Sequence, residues 1–208
     1  MTDAPARIRL GYHGSVSAAR RIVRAAGRHD DEVELREYDL ADPFAALRGG
    51  RLDVMIVKYA QREHGLTYSA VLGAEPRAAV LGARHPLAGR DSVGIEELAD
   101  FDSFRCPGVF PADVWDQVVP PRTPAGRPIR RRYELTDVPT MIDILTRGTA
   151  VHISLLSLAD IAPPTIAVIP IHDLPPAPVG LAWLRDRPPG PVRDFVSAAE
   201  HALSGSLR

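Results

Sequence analysis

Apolar and polar residues alternate over Arg7–Tyr12, with Ile8, Leu10 and Tyr12 on one side, which is the period of a strand lying against a core. Gly11-Tyr12-His13-Gly14 breaks that pattern, and Ser15 stands where a helix N-cap belongs. Val16, Ala19, Val23 and Ala26 then recur at helical spacing up to Gly27, while Arg20, Arg24 and Arg28 line another face, read as solvated rather than phosphate-binding. A second strand is expected over Glu32–Tyr38. A short helix follows, with Asp42 as N-cap, Pro43 at its first position and Gly49-Gly50 as its stop. Leu52–Val57 is almost continuously apolar, as in a parallel strand covered on both faces. This β-α-β-α-β order predicts an α/β fold with a helix-covered parallel sheet.

Beyond it the pattern predicts a strand at Ala78–Leu81 and a short helix at Gly94–Ala99. From Cys106 to Pro128 prolines and glycines dominate around one helical fragment, Ala112–Val119, and Arg127–Arg132 forms a basic cluster balanced by acidic residues elsewhere. Asp137-Val138-Pro139 opens an amphipathic helix closed by Gly148. Thr149–Leu155 is a strand with a turn of helix behind it, and Ala162-Pro163-Pro164 is a linker signal. Ile166–Ile171 and Val179–Leu184 return to strand patterning, and Pro191–Leu203 closes as a helix.

Composition narrows the function. With 25 basic and 26 acidic residues among 208 the net charge is −1, too near neutral for a chain that binds nucleic acid by neutralising phosphates. A hydrophobic fraction of 45% and a charged fraction of 25% exclude disorder, collagen and coiled coil. No apolar run approaches the roughly 20 residues of a bilayer helix, and Met1–Ala6 shows no signal peptide. One cysteine, Cys106, closes no intrachain disulfide, which points to the cytoplasm. All but one of the 25 basic residues are arginine, as codon bias in a GC-rich genome would produce; the lysine is Lys58.

Four segments, in order and at sensible spacing, carry a resemblance. Leu47–Lys58 (LRGGRLDVMIVK), Val80–Ala88 (VLGARHPLA), Val93–Asp100 and Val179–Arg187 (VGLAWLRDR) resemble the effector-binding half of LysR-type transcriptional regulators. The likeness implies a type 2 periplasmic binding protein fold, two Rossmann-like lobes joined by two crossover strands with a ligand in the cleft. Crossings near Leu98–Phe104 and Pro163–Val168 would make residues 1–100 plus 165–208 lobe I and 101–164 lobe II. The winged helix-turn-helix that precedes this module in the family is absent before the strand at Arg7, whether by truncation or by nature. The usual loop before the second strand is replaced by Arg28-His29-Asp30-Asp31, and the "aaG.G" of the later lobe is reduced to Thr146–Ala150.

Ligands of open α/β sheets sit outside the carboxyl ends of the strands. Gly14, Ser15, Val16 and Ser17 offer helix-start amides and hydroxyls to an anion. Lys58 and Tyr59 end the buried third strand, where an ammonium pairs with an anion or acts as a nucleophile. In lobe II, Phe104 and Arg105 end a strand, with Arg105 able to grip a carboxylate in bidentate fashion. Thr136 and Asp137 cap a helix, and His152 lies on the following strand, a ligand contact or a structural histidine. No metal-ligand spacing, Gly-rich phosphate loop or nucleophile elbow occurs, so neither metal nor cofactor is expected. Cys106 reads as a small buried residue.

The leading expectation is therefore a binding module for a small carboxylate or aromatic metabolite, forming a homodimer and making no direct contact with DNA or membrane by itself. A second reading is a stand-alone lyase or cyclase using Lys58, His13 or Asp137 as acid or base. A third is a subunit that dimerises with a full-length regulator.

Overall fold

The computed structural model describes residues 7–59, 62–186 and 190–203; Met1–Ala6 and Arg187, both used above, lie outside them. In chain order the elements are β1 (Ile8–Tyr12), α1 (Ser17–Ala25), β2 (Val33–Glu37), α2 (Ala45–Arg48), β3 (Val54–Lys58), β4 (Leu66–Tyr68) and β5 (Gly73–Glu75). There follow β6 (Arg77–Gly82), α3 (Ile95–Leu98), β7 (Asp102–Phe104), α4 (Ala112–Val118), β8 (Arg130–Tyr133), α5 (Val138–Arg147) and β9 (Val151–Leu155). A 3-10 turn over Leu156–Asp160, β10 (Ile166–Pro170), β11 (Ala177–Leu184) and α6 (Gly190–Leu203) complete the chain. Among the described residues no helix is long and apolar enough to cross a membrane.

The chain divides into two compact units, Met1–Ala74 with Pro178–Arg208, and Glu75–Ala177. It passes from one to the other within β5 and returns within β11. These points differ from the crossings read at Leu98–Phe104 and Pro163–Val168. β6, α3 and β10 belong with the second unit because β6 is the middle strand of that unit's own sheet. The Pro163-Pro164 pair is no passage between units: Pro163 O accepts from Ile166 N–H at 2.9 Å, a tight entry into β10.

In the first unit the sheet order is β2-β1-β3-β11-β4, with β5 also pairing β11. β1 pairs parallel with β2 and β3, whereas β11 runs antiparallel to β3 and β4, so the expected all-parallel sheet is mixed. The apolar run in β3 is explained by period two with both faces covered. Val54 and Ile56 join Leu10, Ile22, Val179, Leu181 and Phe195 under α1 and α6, while Met55 and Val57 meet Phe44, Leu47 and Leu66 on the other side. Tyr38 closes that second layer, its hydroxyl donating to Ile56 O at 3.0 Å. Asp53 at the mouth of β3 accepts from Arg9 N–H (2.8 Å) and Nε (2.9 Å), tying β3 to β1. α1 ends as its glycine predicts: Gly27 takes φ 66°, and Arg28 N–H reaches Val23 O at 3.1 Å.

Two helix starts differ from the reading. α1 begins at Ser17 after Val16, and Ser15 Oγ accepts from Ser17 N–H at 3.1 Å, forming a turn one step ahead of the helix instead of capping it. α2 begins at Ala45 after Phe44, and Asp42 contributes its carbonyl, at 3.3 Å from Ala45 N, rather than its side chain.

The second unit carries an antiparallel sheet β10-β6-β9 and a parallel pair β7-β8. β6 is buried along its whole length, and α5 lies across it with Met141 and Leu145 inward. Gly82 makes that approach possible, because a Cβ there would strike the Leu145 carbonyl oxygen. The basic cluster is balanced as expected: Arg127 pairs with Asp100, Arg130 and Arg132 with Asp102, and Arg131 with Asp116.

Candidate functional site

In the first unit, the parallel register sets Gly11 of β1 opposite Met55 of β3, so both strands run out at one sheet edge. β1 leads there into His13-Gly14-Ser15-Val16 and the start of α1, and β3 ends in Lys58 and Tyr59. The fold thus brings Gly14, Ser15, Val16, Ser17, Lys58 and Tyr59 to the carboxyl end of one sheet, from two stretches forty residues apart. Gly14 takes φ 75° to make the turn, and Ser15 is 3% exposed. Tyr59 adopts φ 63°, a left-handed backbone rare for a bulky residue, pinned by donation of its N–H to Pro178 O at 2.8 Å. Strain of this kind gathers where a side chain must be aimed.

His13 belongs to the same edge. Its Nδ1 lies 3.2 Å from Tyr38 O and its ring 5.8 Å from the Tyr38 ring. A carbonyl only accepts, so Nδ1 carries the hydrogen and Nε2 keeps its lone pair. Burial lowers its pKa below the ordinary histidine value and the Lys58 charge lowers it further; the Tyr38 bond and the carboxylates of Glu37 and Asp39 oppose them without reversing the direction. The edge therefore combines an ammonium, a neutral imidazole and the positive end of a helix.

In the second unit Phe104 ends β7 fully buried, its ring 5.5 Å edge-on to His152 and 5.8 Å from Tyr133. His152 sits on β9 with Trp115 stacked on its other side at 5.9 Å. Its Nδ1 is buried with no hydrogen-bond partner among the described residues, and burial, aided by the Arg77 charge, lowers its pKa to about 4. It is a core histidine held neutral. Arg105 is exposed and engaged within its own unit: its N–H donates to Tyr133 O (2.7 Å) and its Nε to Arg131 O (3.2 Å). Asp137 does cap α5, Oδ1 accepting from Thr140 N–H at 2.7 Å. Thr136 donates to Asp137 Oδ2 (3.1 Å) and so stiffens the cap instead of offering amides. These bonds hold the Asp137 carboxyl below its usual range. Phe104 and His152 are thus brought together, whereas Asp137 accepts from both Thr136 and Thr140. Cys106 is half-buried, its thiol donating to Phe110 O at 3.2 Å, and burial pushes its pKa up.

The sequence reading left Trp115 and Tyr133 out of this aromatic group and left His13 out of the ligand set. Nothing local signals the first two. For His13 the signal was present, as a histidine in the turn that precedes a helix. Among the described residues no group of three or more His, Cys, Asp or Glu is placed to hold a metal ion.

A family model described as "LysR substrate binding domain" matches residues 6–204. No curated protein matches the chain. Among solved structures it is similar to the BenM effector-binding domain with its effector benzoate, at 17% identity and a TM-score of 0.71, covering 99% of this chain and 95% of that one. It is also similar to the effector-binding domain of QuiR in complex with shikimate (16%, TM-score 0.68, covering 97% and 99%). Full-length CbnR complexed with its target DNA is matched at 17% identity and a TM-score of 0.67, over 95% of this chain and 71% of that chain. Two α/β units joined twice by the chain are what these domains share as a type 2 periplasmic binding protein-like fold, and this chain belongs to the LysR substrate-binding domain family.

Proposed function

We propose that the chain is the effector-binding module of a LysR-type transcriptional regulator and that its effector is a small anionic metabolite. The observation that carries this reading is the sheet edge of the first unit. Lys58, the only lysine in the sequence, ends β3 where the start of α1 and the Ser15 and Ser17 hydroxyls also stand. A compact ammonium beside a helix's positive end stabilises a carboxylate over a neutral isostere. Benzoate and shikimate, found with two similar domains, are both carboxylates. The module works in the cytoplasm and pairs as a homodimer, DNA contact falling to another part of a regulator.

Thermal-shift and calorimetric titration against monocarboxylates and their amides tests the reading. The expected result is saturable binding of at least one carboxylate, with the matched amide inert and Lys58→Met at least about tenfold weaker, as befits a lost charge-assisted bond. Uniform absence of binding at millimolar concentration, or equal binding of acid and amide, overturns it. Recovery of a chemically altered ligand would favour the lyase reading instead.

A further inference from the structure

We infer that His13 makes this edge selective for carboxylates that also carry a hydroxyl or N–H donor, through its Nε2. The inference rests on the ligand reading of the same edge and adds the second half of the ligand's chemistry. Tyr38 O is fixed in the buried layer beside β3 and claims the Nδ1 hydrogen, so the ring cannot exchange tautomers without losing that bond. The neutral form is enforced from several sides. The ring is withdrawn from water and Lys58 faces it as a like charge once protonated; the compensating carboxylates, Glu37 and Asp39, lie at the end of β2 and just beyond it. Nε2 is then an acceptor at all pH values near neutrality. Lys58 beside it can only donate, whereas the Gly14 N–H is given to Glu37 Oε1 at 3.4 Å and the Ser17 N–H to Ser15 Oγ at 3.1 Å. The edge thus supplies the Lys58 ammonium for a carboxylate and, in His13 Nε2, a ring acceptor whose orientation the Tyr38 bond fixes. A ligand that satisfies both is an acid with a donor group on its frame. A bare acid leaves Nε2 desolvated and unpaired, which costs affinity.

The test uses matched pairs on one frame, benzoate with its monohydroxy isomers and cyclohexanecarboxylate with shikimate, titrated into the whole chain. The wild-type protein is expected to bind the better hydroxylated member of a pair roughly three- to tenfold more tightly than the parent acid, the range of one net hydrogen bond. His13→Phe, which keeps a ring against Tyr38, is expected to bring that ratio to about one, because neither member of a pair then meets an acceptor at this position. His13→Gln, which retains an acceptor, is expected to restore part of the ratio. A wild-type ratio of one for every pair that binds, or a ratio that survives His13→Phe, overturns the inference. Failure of all acids to bind overturns instead the ligand reading beneath it.

Discussion

Three histidines of this chain are less basic than usual, each chiefly because it is withdrawn from water, but in different company. His13 has one nitrogen tied to Tyr38 O and one with a lone pair. His85 uses both: Leu87 N–H donates to Nδ1 at 3.1 Å, so Nε2 carries the hydrogen and donates to Thr149 O at 3.1 Å, linking the turn after β6 to the entry of β9. His152 is packed between Phe104 and Trp115. Only His152 pays fully for burial, at about 4. Its sign follows from linkage. Below the unfolded value near 6.5 the unfolded chain binds a proton that the folded chain refuses until about pH 4, so stability is complete above pH 6.5 and is lost as pH falls towards 4. Between pH 7.5 and 5 this share is about 2 kcal/mol. Urea unfolding of His152→Phe at both pH values is expected to show a loss on acidification smaller by that amount; an unchanged loss would mean the imidazole is reached by water. At this scale the sequence shows which side chains titrate, but not their company, since Phe104, Trp115 and His152 come from three separate elements.

At the scale of elements, legibility followed length and the number of faces covered. β3 and α6 were readable because five or more residues repeat one burial period; β4 and β5, three residues each, carry too little pattern and owe their existence to pairing with β11. Ser15 and Asp42 look like caps in sequence, but backbone turns begin the helices two and three residues later. Asp137 meets its amide and is a cap. Replacing Asp137 by Ala is expected to lower the melting temperature without altering the affinity for any acid that Lys58 holds, since its oxygens are committed to Thr136 and Thr140. Gly82→Ala is expected to cost roughly 1–3 kcal/mol by driving α5 off β6, because the obstacle is backbone. Gly11→Ala should cost less, its nearest obstacle being the movable Leu52 Cδ1 at 2.5 Å. Equal denaturation midpoints for the two variants would show that α5 tolerates displacement.

For the whole molecule, the way the chain is divided has a consequence that can be measured. The second unit is one continuous stretch, whereas the first borrows β11 and α6 from the far end of the sequence. Without them Val179, Leu181, Phe195 and Val196 are missing from its core and β3 becomes a sheet edge. A fragment of residues 75–177 is therefore expected to give a dispersed amide spectrum and a cooperative melt. A fragment of residues 7–74 is expected to show neither until the segment 178–208 is added in trans. A folded 7–74 fragment would contradict the core described for this unit.

The order of the longer strands and helices, the membership of the family and the two stretches that meet at the first unit's edge follow from the sequence alone, because burial period, turn glycines and short motifs are local and survive without knowledge of neighbours. The antiparallel insertion of β11, the points where the chain passes between units, the tautomer of His13 and the neutrality of His152 needed the tertiary structure. Each depends on which atoms distant parts of the chain bring within a few ångströms, and hydrogen bonding and desolvation act only over that range.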